Sequence, residues 1–200
     1  MDSNYSSLFE LIGQWYSLTE DTKEAIQSKS ELRRIKRGDY LFQEGQQGDH
    51  LFFVVQGCIR AFVLDNDFKE HNIRFGFENE VVGDIQSFRY QTKSTLNLQA
   101  LENTVVLQVN PSNLRELFTL DTSLSLFYKD FLEFELSHAQ KRIINQLSKN
   151  SENRYLDFLE QYGQFNNRLP DRHIASYIGV TPEFFSKLKK RKIREFLELG

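Results

Sequence analysis

Apolar positions recur at two different periods along this chain, and the change of period divides it. Leu8, Leu11, Ile12 and Trp15 fall at helical spacing, which predicts an opening amphipathic helix; a second short helix is expected after Thr19. From about Arg33 to Val109 the pattern becomes short apolar or alternating runs (YLF, HLFFVVQG, IRAFVL, NIRFGF, LNLQAL, VVLQV). Gly38, Gly45, Gly48, Gly57, Gly76 and Gly83 break them. Short strands with turn signals at this density predict a sandwich or barrel. Pro111 interrupts the strands and the helical period returns, with one helix expected over 112–120 and a longer one from Thr122 or Ser123 to about Leu147.

The long helix carries two apolar stripes. Leu124, Phe127, Phe131 and Phe134 form the first; Tyr128, Leu132, Ala139, Ile143 and Leu147 form the second. One face can pack on the barrel and the other on a partner. The first stripe is assigned to a parallel dimer. The polar segment NQLSKNSEN, Asn145–Asn153, is read as a hinge, and a further helix is expected from Arg154 to Tyr162, with Gly163 as its stop.

Past the hinge the residues follow a stricter plan. Asp171 is a good N-cap for a short helix with Ile174, Ala175 and Ile178 on one face, and Gly179 ends it. Thr181 can cap the next helix, with Pro182 in its first position and Glu183 in its first turn. A small residue where the helices cross, Ala175, a corner glycine and inward apolar residues describe a helix-turn-helix. Phe184, Phe185 and Leu188 cluster on one side of the second helix, and Glu183, Ser186, Lys187, Lys190 and Arg194 on the other. The polar side is also the basic side.

Charge sharpens that division. Residues 1–165 hold 17 Lys/Arg against 24 Asp/Glu, whereas residues 166–200 hold 8 against 4, within a chain whose formal charge is -3. On charge alone, a basic end on an acidic body is either a solvated surface or one that meets nucleic acid, and the helix pattern decides between them. In a DNA major groove Glu183, Ser186 and Lys187 would reach base edges, while Lys189, Lys190, Arg191 and Lys192 suit phosphates; Thr181 and Arg194 complete the expected DNA-binding set.

Other chemistry is sparse. The single cysteine, Cys58, is placed inside a strand and cannot form an internal disulfide or a thiolate zinc site. Asp65, Asp67 and Glu70 read as turn chemistry rather than a cation site. His50, His71, His138 and His173 are too scattered for a metal centre. No nucleophile elbow, zincin motif, phosphate loop or C-x-x-C occurs, so catalysis is not expected. The N-terminus lacks a basic lead and a long apolar run, so a cytoplasmic protein with no membrane span is expected.

With these residues assembled, the chain resembles the CRP/FNR family of bacterial transcription regulators over nearly its whole length. KRGDYLFQEGQQGDHLFFVVQGCIRAFVL, Lys36–Leu64, is similar to the family's opening strands, with Gly38, Gly45, Asp49 and Gly57 at family spacing. VVGDIQSF and LNLQALENTVVLQV resemble the segments that follow. The resemblance implies an α+β fold: an N-terminal double-stranded β-helix or jelly-roll barrel with flanking helices, a long dimerisation helix at about 122–147, and a C-terminal all-α helix-turn-helix domain. The domains would be 1–148, sensor with dimer helix, and 149–200, DNA-binding. Double-stranded DNA, a second copy, RNA polymerase and a small-molecule effector are the partners it implies.

Departures from the family pattern concern the effector. Nucleotide-binding members pair a Gly-Glu with the ribose and an Arg with the cyclic phosphate. Here Gly83, Asp84 and Ile85 occupy the first part of that cassette, with an acid one methylene short; Ser94 stands at the arginine, flanked by Lys93, and Arg89 lies earlier in the loop. Neither Ser94 nor Lys93 replaces a bidentate guanidinium. Cyclic AMP is therefore disfavoured, and the lone Cys58 excludes the family's iron–sulfur chemistry, leaving no cofactor expected. Pro182 and Lys187 stand where the family often shows arginines, so a different half-site is expected, without wing contacts after Gly200. A ligand-binding or protein-interaction module with purely structural terminal helices remains the alternative.

Overall fold

The computed structural model describes the backbone of residues 3–198 and the side chains of residues 4–191. Packing divides the chain into two units: residues 1–63 with 73–134, and residues 64–72 with 135–200.

The first unit opens with α1 (Ser3–Gly13) and α2 (Glu20–Lys29). Thr19 caps α2 by accepting from the Thr22 N–H, as its position before the helical period predicts. Trp15 falls outside α1 and is exposed, so the opening apolar face ends at Ile12, which is buried. Eight strands follow: β1 (Glu31–Ile35), β2 (Tyr40–Phe42), β3 (Leu51–Gln56), β4 (Ile59–Leu64), β5 (Glu70–Gly76), β6 (Val81–Val82), β7 (Asn97–Ala100) and β8 (Thr104–Val109). They form two four-stranded sheets in the orders β1-β8-β3-β6 and β2-β7-β4-β5.

Alternation along the strands builds two apolar layers. Ile35, Phe42, Phe52, Val54, Ile59, Leu98 and Val106 form one core. Residues one step out of phase on the β1-β8-β3-β6 sheet, Phe53 and Leu107, face the other way and meet Ile12, Ile26, Leu117 and Leu124. That second layer brings α4 (Pro111–Leu120) and the start of α5 (Thr122–Ser148) onto the sheet. Pro111 occupies the first turn of α4 behind an Asn110 cap, which explains why the strand stops there.

Gly57 turns the β3–β4 corner at φ +103°, and an added Cβ would lie 2.8 Å from the Thr104 Cα. Cys58 follows in that corner rather than in a strand, because the turn comes before β4 begins; it is wholly buried. Asp65 supplies the turn after β4 by accepting from the backbone N–H groups of Asp67 and Lys69. Its carboxyl lies below the ordinary 3.8, first because of the His71 ring hydrogen bond and then because of these backbone donors.

In the second unit, α6 (Ser151–Tyr162), α7 (Asp171–Ile178) and α8 (Pro182–Glu198) follow the end of α5. The break between α5 and α6 is only Lys149 and Asn150, much shorter than the polar segment suggests, because Asn150 caps α6 through the Asn153 N–H. α6 ends at Tyr162 with Gly163 as its C-cap, as expected, although the cap is αR rather than left-handed and a 3-10 turn over Gly163–Arg168 follows directly. Asp171 is the first helical residue of α7, not its cap, since Pro170 takes the cap position. No described helix is long and apolar enough to cross a membrane.

Candidate DNA interface and effector cassette

The turn between α7 and α8 is built from three local features. Gly179 adopts φ +73°, ψ +41° and ends α7, with its N–H directed to the Ala175 and Ser176 carbonyls. Thr181 then caps α8 by accepting from the Phe184 N–H at 3.2 Å. Ile174, Ala175, Ile178, Phe185 and Leu188 are all buried, so the two helices close over an apolar seam. Tyr155 of α6 meets Phe185 edge to face, with ring centroids 5.1 Å apart, making α6 the third wall.

On the outer side of α8, Glu183, Ser186, Lys187, Lys190 and Arg191 are exposed. Phe184 does not join the inward seam: at 48% exposure it stands beside the polar face. Its neighbour Phe185 already fills the space against Tyr155. Glu183 is held below the ordinary 4.5 by its own backbone N–H first and by the Thr181 hydroxyl second, as expected of a carboxylate at a helix start.

The basic residues are not equivalent. Lys189 pairs with Asp171 at 2.7 Å and Arg191 with Glu152 at 2.5 Å, so both are engaged within the unit. Lys187 and Lys190 have no such carboxylate among the described residues. The Lys192 and Arg194 side chains lie outside the described residues, although α8 runs through their positions.

Several polar groups that periodicity did not single out hold this helical pair. Arg154 donates to the Ile178 carbonyl at 2.8 Å and to the Lys149 carbonyl at 2.7 Å, placing one cation against the C-terminal ends of α7 and α5. Segment 64–72 contributes Asn72, whose N–H donates to Ser176 Oγ at 2.9 Å and whose side chain donates to the His173 carbonyl at 3.1 Å. Ser176 Oγ donates in turn to the Glu70 carbonyl, and Arg142 donates to the Asn72 carbonyl. Their only sequence signal is polarity at positions flanked by buried residues, which does not name a partner.

The candidate effector cassette is closed upon itself. Asp84 caps α3 (Ile85–Tyr90), a short helix that the strand pattern gave no sign of, by accepting from the Ser87 N–H at 3.0 Å. The other carboxylate oxygen accepts from Ser94 Oγ at 2.7 Å. Both side chains are buried. Ser87 Oγ accepts from the Gly48 N–H and donates to the Thr92 carbonyl. Gly83 is pressed against Leu51, where a Cβ would come within 2.8 Å. Ile85 is half-buried, while Arg89 and Lys93 are exposed. The acid and the residue at the arginine position thus satisfy each other, and no guanidinium joins them.

The four residues assigned to a partner-facing stripe lie differently from that expectation. Leu124 is buried in this chain's own core, Phe127 packs on the same cluster, and Phe131 walls an apolar pocket. Only Phe134 is exposed. The sheet needs a cover, and the first stripe supplies it. The apolar residues that α5 exposes are chiefly Leu126, Leu136, Ile143, Ile144 and Leu147.

The first unit is a two-sheet jelly roll of the cyclic-nucleotide-binding type, and the second contains a capped helix-turn-helix. Residues 32–121 match the family profile of the cyclic nucleotide-binding domain. The anaerobic regulatory protein of Bacillus subtilis is 25% identical over 126 residues, covering 63% of this chain and 53% of that protein. The chain thus spans about half the length of that relative. Transcriptional activator protein Anr of Pseudomonas protegens is 24% identical over 170 residues, covering 80% of this chain and 69% of Anr.

Among solved structures, FixK2 from Bradyrhizobium japonicum superposes with a TM-score of 0.74 at 18% identity, over 83% of this chain and 85% of that one. A CooA mutant from Carboxydothermus hydrogenoformans gives 0.72 at 18% identity, over 100% and 87%. The chain is thus similar over residues 32–121 to cyclic nucleotide-binding domains, shares the fold of FixK2 and CooA, and resembles curated proteins named as regulators.

Proposed function

We propose that this protein is a sequence-specific, double-stranded-DNA-binding transcription regulator that acts in the cytoplasm as a homodimer, with RNA polymerase as a further partner. Residues 1–148 form its sensor and dimer helix, and residues 149–200 its DNA reader. The observation that carries the reading is the split surface of α8. Phe185 and Leu188 are buried on one side, while Glu183, Ser186, Lys187 and Lys190 are exposed on the other. A helix with this division presents its first turns to base edges and its later cations to phosphates.

Dimerisation falls to the exposed apolar side of α5, which takes Leu132, Ala139, Ile143 and Leu147 from the second stripe and adds Leu136. Leu132, Leu136, Ala139, Ile143 and Leu147 recur at spacings of four, three, four and four residues, which supports the seam of a parallel helix pair. Two recognition helices about 34 Å apart would then read a pseudo-palindromic site. Cyclic AMP is not the effector in this reading: Asp84 and Ser94 bond each other, leaving no cation for the cyclic phosphate.

Selection of sites from random duplex DNA, with and without cyclic AMP at two salt concentrations, tests the proposal. A two-fold-symmetric site enriched without nucleotide, and lost when Lys187 and Lys190 are changed to Glu with folding intact, is the expected result. Enrichment that survives both charge reversals would overturn the assignment of α8.

A further inference from the structure

We infer that the first unit contains a binding site for a small, uncharged, hydrophobic molecule of about the size of a single aromatic ring, on the sheet face opposite the inter-sheet core. An apolar pocket of about 110 Å³ opens there. Its walls come from four directions: Ile12 of α1, Phe53 of β3, Leu117 of α4, and Phe127 and Phe131 of α5. Asp84 and Ser94 do not line it. The inference does not depend on the DNA-binding reading.

The chemistry of the walls selects the occupant. No charged side chain lines the pocket, so an ionic ligand would lose its hydration without a counter-charge. Ser30 and Tyr128 bring the only polar side-chain atoms. The Ser30 hydroxyl already donates to the Ile26 carbonyl at 2.5 Å. Tyr128 makes no hydrogen bond among the described residues, and burial pushes its phenol above the ordinary 10.0, which keeps it a neutral donor. The occupant is therefore an apolar body with at most one acceptor.

Size argues the same way. A cavity of about 150 Å³ lined by Leu, Ile and Phe stays dry and takes up benzene, because water finds too few partners there. At about 110 Å³ and with an opening to solvent, this pocket suits a ring of that class rather than a nucleotide. Aromatic walls at Phe53, Phe118, Phe127 and Phe131 favour ring contacts over a flexible chain.

The test uses toluene as probe and benzoate as its charged counterpart, with the full chain, read by thermal unfolding. Toluene at ten times its Kd is expected to raise Tm by about 3 °C, saturably, while benzoate leaves it unchanged. Val109→Phe and, separately, Leu114→Phe fill the pocket and are expected to abolish the toluene shift; the second guards against one variant failing to fold. The ¹⁹F line of fluorobenzene should broaden with the parent protein and stay sharp with either folded variant. No Tm shift up to the solubility limit, an equal shift in both filled variants, or an equal shift with benzoate would overturn the inference.

Discussion

Ser94 Oγ donates to the Asp84 carboxylate at 2.7 Å, and both side chains are buried. The two residues that the sequence resemblance suggested for an acid and an arginine at a nucleotide are bonded to each other. A ligand would have to break a charge-assisted hydrogen bond to reach the acid.

Ser94→Ala tests that arrangement. It leaves Asp84 with the Ser87 N–H alone on the cassette side and should lower unfolding stability by about 1–3 kcal/mol in urea titration. Calorimetry should detect no cyclic AMP binding by either parent or variant. Binding by the parent would show that the pair opens.

Lys187 and Lys190 should outrank Lys189 and Arg191 in DNA affinity. Lys190→Ala is expected to weaken binding and reduce the salt-dependence slope by about 1, measured by fluorescence anisotropy at several salt concentrations. Lys189→Ala should cost less affinity, since that cation is already paired with Asp171. Both surface changes should leave stability within about 0.5 kcal/mol.

Glu replacements at Leu136 and Ile143 should convert a dimer to monomer in sedimentation equilibrium while the unfolding midpoint of each chain persists. Both residues are about 60% exposed, so no core of the single chain is lost. Leu124→Glu should instead unfold the first unit, because Leu124 is buried against its own sheet.

Asp121 links α2 to the α4–α5 junction and should make stability acid-sensitive. Burial pushes its carboxyl up, but the Thr22 hydroxyl and Ser123 N–H that donate to it outweigh this and hold it below the ordinary 3.8. A depressed carboxyl stabilises fully above its unfolded value and loses that contribution as pH falls through the folded value. Asp121→Asn should therefore be less stable than the parent at pH 7, with the difference shrinking below about pH 4 in denaturant titrations.

What the sequence determined by itself was local or periodic. Thr181 could be read as a cap because capping needs only a side-chain oxygen and the next N–H groups. Gly57 and Gly179 marked corners because positive φ is a property of one residue. The barrel, the long helix and the helix-turn-helix followed from period and turn spacing, and the inward Phe185 and Leu188 from 100° per residue.

Only the tertiary structure decided which of two apolar stripes on α5 the sheet would take. Both stripes satisfy helical periodicity, and the sheet side took Leu124, Phe127 and Phe131 together with Tyr128, the first residue of the second stripe. Pairings distant in sequence were equally hidden: Lys189 with Asp171, Arg191 with Glu152, and Asn72 with α7 join residues that no local rule brings together. Asp84 and Ser94 looked like a failed ligand pair until the fold placed their oxygens 2.7 Å apart. Propensity acts along the chain, whereas a polar group's partner is set by which surfaces the burial of apolar area forces together.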